Sequence, residues 1–369
     1  MLDKNPQKYM DMLKDRYTVK PSSIGEPTTY LGAGIGKVNY SDGSYAWLMS
    51  SENYVKEAVK TVKDRVKKDG YEFNRKLSDT KYSPQHPFSS QKYRPELDTS
   101  CECTNEQVTF YQNLIGILRW IVELGRIDIL FEVSCLSSYL ASPRTGHLVQ
   151  ALHIFKYLEL HSKNELAFDP MYQKVESDQN VDKKIEEMKR IYVDAKEDLP
   201  PNAPEPRGRP VQVNCFEDSD HAGNTVTRRS QTGILLYLNS APIVWYSKRQ
   251  NTVESSTFGS EFVALRIASD LIISLRYKLR MFGIPIDGPT NVFCDNESVY
   301  KNASFAESQL KKKHQSICFH RVRECVASGI LIPHKVASEF NLSDLLTKSL
   351  PAARRVALRS RIMFTEGTL

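Results

Sequence analysis

Four carboxylates in the last part of the chain, Asp218, Glu261, Asp295 and Asp344, are far apart in sequence but placed where a fold could gather them. Asp218 lies in the run Phe216-Glu217-Asp218-Ser219-Asp220 at the expected end of a strand, and Asp295 ends a second expected strand as Cys294-Asp295-Asn296. Glu261 opens a long expected helix, and Asp344 sits near the start of a late one. Acids at strand ends and helix starts suit hard divalent cations, because Mg2+ prefers carboxylate oxygens and water. Two such ions held against a phosphodiester divide the chemistry: one lowers the pKa of the attacking water and the other steadies the leaving 3′ oxygen. That is the chemistry of cutting nucleic acid. Asp220 competes with Asp218, since residues two apart on a strand point the same way and spacing does not choose between them. Glu254 and Glu297 are near neighbours that could mislead.

The elements that must position these acids follow a change of pattern along the chain. A length of 369 residues is comfortable for two cores, and 40% apolar with 25% charged residues is the composition of a globular protein. In the first part, 28–35 and 45–49 read as strands of a hairpin turning at Ser41-Asp42-Gly43-Ser44. A helix follows, with Val55, Val59, Val62 and Val66 on one stripe. The stretch 76–105 reads as an irregular connector, and helices are expected over 107–124, 127–140 and 147–160. Charges over 189–210, with five prolines from Pro200 onward, predict an extended, mobile linker. Beyond it, strands are expected at 211–216, 232–238, 243–247, 291–294 and 330–336, with helices at 261–282, 314–328 and 341–348. Strands that first meander and then alternate with helices predict a mixed sheet flanked by helices, an α/β fold, after an α+β N-terminal part. The division is 1–165, a linker at 166–210, a C-terminal domain at 211–350, and a basic, peripheral tail at 351–369.

Net charge is +6, too modest over this length to establish an acidic partner. Local clusters say more: Arg228-Arg229, Lys248-Arg249 and Lys311-Lys312-Lys313 before His314 bracket the acids, as a phosphate-lined groove would. Lys56, Lys60, Lys63 and Lys67 form a further basic face. Seven cysteines without a zinc spacing read as reduced thiols in an intracellular protein, in a cytoplasmic particle or the nucleus. No apolar run is free enough of charge to cross a membrane.

Ordered motifs over about 130 residues closely resemble the ribonuclease H domain of copia-type retrotransposon polyproteins. They are Asp218-Ser219-Asp220-His221-Ala222-Gly223, Arg229-Ser230-Gln231-Thr232-Gly233, Ile243-Val244-Trp245-Tyr246-Ser247-Lys248-Arg249-Gln250, Ser260-Glu261-Phe262-Val263-Ala264-Leu265, Cys294-Asp295-Asn296, Lys313-His314 with His320, and Asn341-Leu342-Ser343-Asp344-Leu345-Leu346-Thr347-Lys348. The resemblance implies catalytic, metal-binding acids at Asp218, Glu261, Asp295 and Asp344, and so favours Asp218 over Asp220. It implies two Mg2+ ions, with Mn2+ as substitute, and cleavage of the RNA strand of RNA/DNA hybrids. Arg228, Arg229, Lys248, Arg249, Lys311, Lys312, Lys313, His314 and His320 become candidate nucleic-acid contacts, touching backbone and shape rather than sequence. Two departures stand out: His221 where the family usually has Trp, and Gly259 where it often has an acid.

The first part resembles the region of the same polyproteins between polymerase palm and ribonuclease H domain, through Tyr30-Leu31-Gly32, Tyr111-Gln112-Asn113-Leu114-Ile115-Gly116-Ile117-Leu118-Arg119-Trp120, Arg126-Ile127-Asp128-Ile129 and Ala141-Ser142-Pro143-Arg144-Thr145-Gly146-His147. It implies a palm remnant with thumb- and connection-like helices, and partners in the upstream polymerase and the integrase parts of a polyprotein. No Tyr-X-Asp-Asp tetrad occurs in the chain, so DNA synthesis by this chain alone is not expected. The expectation is a ribonuclease H; the competing one is an inactive remnant that only binds nucleic acid or polyprotein partners.

Overall fold

The computed structural model of the protein describes residues 6–21, 24–40, 42–69, 93–173, 180–310 and 313–364. Helix α1 (Pro6–Arg16) precedes β1 (Thr29–Tyr30), β2 (Ala33–Asn39) and β3 (Tyr45–Ser50), and β2 pairs antiparallel with β3 across the turn at Asp42. Helix α2 (Glu52–Lys68) buries its valine stripe against α3 (Asn105–Glu123), α4 (Leu130–Leu136) and α5 (Thr145–Leu160). Thr104 starts α3 through a capping box with Gln107, which satisfies backbone donors that a helix start leaves open. Strand β4 (Glu165–Phe168) then pairs antiparallel with β3 and completes the first sheet, of order β1-β2-β3-β4. Of the connector expected over 76–105, the part up to residue 92 lies outside the described residues.

The linker expected over 166–210 is instead partly regular. Besides most of β4 it holds α6 (Val181–Lys189), whose Met188 joins the core below the second sheet, while Arg276 and Arg280 hold Glu197 at 2.7 and 2.5 Å. Its charges mislead because a helix presents them on one side while a narrow stripe of Lys184 and Met188 is buried.

The second sheet contains β5 (Val213–Asp220), β6 (Gln231–Leu238), β7 (Ala241–Arg249), β8 (Thr290–Cys294) and β9 (Leu331–Lys335) in the order β7-β6-β5-β8-β9. The first three form an antiparallel meander, and β8 and β9 add in parallel to β5. Parallel strands need crossovers, supplied by α7 (Thr257–Met281) before β8, and by α8 (Glu297–Ser304) and α9 (Ser316–Ala327) before β9. This is the mixed, helix-flanked sheet that the ribonuclease H resemblance implied. The late helix expected over 341–348 is a 3-10 helix, Leu342–Leu346.

The tail expected to be peripheral is not. Helix α10 (Ala352–Ile362) buries Leu358 and Ile362, and Arg355 is fully buried because its guanidinium pairs with Glu132 of α4. That core is shared: Met49, Leu124, Ile127 and Leu166 of the first part meet Phe216, Leu235, Tyr237, Phe293 and Leu358 of the second.

Candidate metal centre

Strand β5 lies in the middle of its sheet, and all its residues but the last are buried. A polar run Glu217-Asp218-Ser219 in such a strand goes against burial economy, which marks it as a place for function. Phe216 stands opposite Phe293 in the parallel β5–β8 register, so Asp218 and Asp295, each two residues further on, leave the sheet at one end. Glu261 comes from the second turn of α7. The start of that helix is fixed by Ser256, which accepts from the Gly259 amide at 3.2 Å, and by Gln250, which donates to the Ser260 carbonyl at 2.9 Å. Carboxylate oxygens of Asp218, Glu261 and Asp295 thereby lie within 4.8 Å of one another, an arrangement able to hold a metal ion.

These acids face a cavity of about 430 Å3 that Asp220, His221, Asn296 and Lys348 also line. Asp218 is 2% exposed; burial pushes its carboxyl up to about 6, with Lys348 and Thr347 opposing and Asp344 and Asp295 adding to the rise. Burial also pushes Glu261 well above the carboxylate range, helped by Asp218, Glu217 and Asp295. Like charges held this close in a dry place are what a divalent cation relieves.

Asp344 is held differently. It is not one of the three converging acids: Lys348 Nζ lies 2.8 Å from its Oδ1 and Arg354 Nη2 lies 3.0 Å from its Oδ2. The same Lys348 Nζ lies 3.2 Å from Asp218 Oδ2, and the Thr347 hydroxyl also donates to Asp218. Burial works against the Lys348 ammonium, yet Asp218 and Asp344 raise it above the usual lysine range. Gly233 makes this approach possible, because a Cβ there would sit 2.6 Å from Thr347 Cγ2 and 2.9 Å from Leu346 Cβ. Asn341 fastens the 3-10 helix by donating to the Glu217 carbonyl at 2.9 Å.

The retrovirus-related Pol polyprotein from transposon RE2 of Arabidopsis thaliana is 25% identical over 242 residues, 66% of this chain and 14% of that protein. The corresponding protein from transposon TNT 1-94 of Nicotiana tabacum is 24% identical over 241 residues, 65% of this chain and 15% of its own length. About two thirds of the chain is thus similar in sequence to Pol polyproteins of plant transposons. The chain spans about a seventh of the length of these relatives. No family model matches it. Among solved structures, the N-terminal RNase H domain of rv2228c from Mycobacterium tuberculosis aligns with 40% of the chain at 14% identity and a TM-score of 0.30. LC11-RNase H1, solved in complex with an RNA/DNA hybrid, aligns with 37% at 16% identity and a TM-score of 0.31.

The basic residues fall into separate groups. Arg228, Arg229 and Arg249 line a second cavity, of about 520 Å3, between the helices of the first part and the sheet; it shares Asp220, His221 and Lys348 with the acidic cavity. Lys248 does not line it, because neighbours on a strand face opposite ways. Lys313 and His314 are exposed, and His314 Nε2 lies 3.7 Å from Glu254. His320 is bonded to the Tyr192 hydroxyl at 2.7 Å, and Lys311 and Lys312 lie outside the described residues. Among the lysines of α2, Lys56 pairs with Glu52 and Lys63 with Glu159, so these two already have anionic partners. Trp245 is half-buried against both the helical core and the shared core, as a packing residue.

Three features escaped the sequence reading. Lys348 stands four residues after Asp344, a helical ion-pair spacing that could have flagged it. Glu217, 0% exposed with neither carboxylate oxygen hydrogen-bonded, is pushed well above the usual range by burial and then by Asp218 and Asp295. Finally, the Glu254 carboxylate lies over Gly259, its Oε2 2.8 Å from where a Cβ would be built.

Proposed function

We propose that the chain hydrolyses the RNA strand of RNA/DNA hybrids endonucleolytically, with Mg2+ as cofactor, as the ribonuclease H part of a retrotransposon Pol polyprotein. The observation that carries this reading is the convergence of Asp218, Glu261 and Asp295 within 4.8 Å at one end of a ribonuclease H-like sheet. The donor set fits a hard cation: three carboxylates, and no thiolate, since burial pushes Cys294 far above the range in which it would ionise. Asp218, Glu261 and Asp295, with Asp344, would hold two such ions, and Mn2+ would substitute. Bound there, the ions supply Lewis acidity toward the attacking water and the leaving oxygen.

The chain's own residues bind and orient. Thr347 fixes the Asp218 carboxylate, and Arg354 fixes Asp344. Arg228, Arg229 and Arg249 meet the phosphates of the duplex in the adjoining cavity. In this reading residues 1–165 are the palm remnant with its thumb- and connection-like helices, 211–350 the nuclease completed by α10, and the polymerase and integrase parts of the polyprotein are its neighbours, in a cytoplasmic particle or the nucleus. Among the described residues no helix is long and apolar enough to cross a membrane.

The test is end-labelled RNA/DNA hybrid with Mg2+, given to the parent protein and to Asp295→Asn. Fragments with 5′-phosphate and 3′-hydroxyl ends are expected from the parent alone. No cleavage by the parent, or undiminished cleavage by the variant, rejects the proposal; binding without cutting leaves a nucleic-acid-binding remnant as the function.

A further inference from the structure

We infer that Lys348 sets the number of ions the site accepts: its ammonium occupies the place between Asp218 and Asp344 that a second cation would need. The inference rests on the metal-dependent reading above and deepens it. Lys348 Nζ lies 3.2 Å from Asp218 Oδ2 and 2.8 Å from Asp344 Oδ1, so one ammonium joins an acid of the converging trio to the acid outside it. A Mg2+ ion takes its oxygens at about 2.0–2.1 Å, so an ion bridging those same two oxygens from the side the ammonium occupies would lie too close to the lysine nitrogen for both to fit. The two cannot be there together.

The rest of Asp344 is also committed to cations of the chain itself. Arg354 Nη2 holds Oδ2 at 3.0 Å and the Ser338 carbonyl at 2.6 Å, and its other nitrogen donates to Glu339. Around the converging acids the charge is different: no Lys or Arg is paired with Glu261 or Asp295 through its side chain among the described residues. The site is thus divided into an uncompensated part that asks for an ion and a part already supplied with one charge by Lys348.

Lys348 is also able to leave. Its side chain is 36% exposed, and it lines both the acidic cavity and the arginine-lined one beside it. An anionic phosphodiester lying across the two cavities offers the ammonium a new partner while it vacates the oxygens of Asp218 and Asp344. The second ion therefore enters with the nucleic acid, and the free protein takes one.

The experiment counts Mn2+ ions by electron paramagnetic resonance and calorimetry on the full chain without nucleic acid. One bound ion is expected for the parent and for Lys348→Arg, and two for Lys348→Met, the second lost again in Lys348→Met with Asp344→Asn. Lys348→Gln is measured in parallel, and circular dichroism establishes that each variant is folded. Equal counts and affinities in the parent and both neutral variants, or two ions in the free parent, overturn the inference. No ion in any protein overturns it together with the metal centre. Failure of the parent to cut hybrid, with the counts changing as stated, refutes the proposed activity and leaves the role of Lys348 standing.

Discussion

Replacing Arg355 by Met should destabilise the protein by about 3–5 kcal/mol, the usual consequence of stranding one member of a buried ion pair. Arg355 is 0% exposed and Glu132 is 4% exposed, so neither charge has water to fall back on. The guanidinium donates to the Glu132 carboxylate and, at 3.0 Å, to the Asp128 carbonyl. Burial already raises the Glu132 carboxyl above its usual range, and Arg355 is the chief force pulling it back. Without the arginine, Glu132 must either stay charged in a dry core or take up a proton. The measurement is urea unfolding of the parent, Arg355→Met, and Arg355→Met with Glu132→Leu. The double variant should recover most of the loss, since a buried pair replaced by apolar groups of similar volume is often neutral. A loss below about 1 kcal/mol in the single variant, or a double variant as damaged as the single, refutes the reasoning. Because α10 also carries Arg354, the single variant should loosen Asp344 and slow hydrolysis beyond what the unfolded fraction explains.

Metal affinity should climb with pH through about 6, because Asp218 is raised from its ordinary 3.8 to about 6 and a proton competes with the cation there. The sign for the metal-free protein is opposite: the folded carboxyl binds the proton more tightly than the unfolded one, so stability falls as pH rises through that window. Mn2+ titrations and thermal melts from pH 4.5 to 7.5 read both trends, and a flat affinity profile contradicts them. Gly233→Ala should cost about 1–3 kcal/mol by overpacking, since its Cβ would lie 2.6 Å from Thr347 Cγ2, and should shift the metal dependence of cleavage; unchanged urea midpoint and metal dependence argue against a required close approach. Glu217→Gln should stabilise the protein more at pH 8 than at pH 5, because burial disfavours the ionised form, and a pH-independent difference in melting would show that Glu217 finds a partner in solution.

Much of the second sheet could be read from the chain because its signals are local. Alternation and turns place β6 and β7, and the longest apolar helix is α7, although it begins four residues before Glu261 rather than at it. The strand carrying Asp218 extends to Asp220, past the expected end, since its polar residues hide its continuation. What stayed hidden depends on distant partners. Arg355 reads as one more charge in a basic tail until Glu132, in α4, is known to lie against it. Asp344 reads as a fourth converging acid until the turn over Gly233 brings Lys348 between it and Asp218. Convergence of Asp218, Glu261 and Asp295 was legible in kind, because strand ends and helix starts meet at one end of such a sheet.

The shared core has a geometric consequence. Met49, Leu124 and Ile127 are packed into the same apolar mass as Phe216 and Phe293, the residues directly behind Asp218 and Asp295. A tether would let a nuclease roam over a range of positions along whatever its other half grips. Here the two parts share one core, so if the proposed function holds and the first part also touches the duplex, cutting would fall at a constant number of base pairs from that contact.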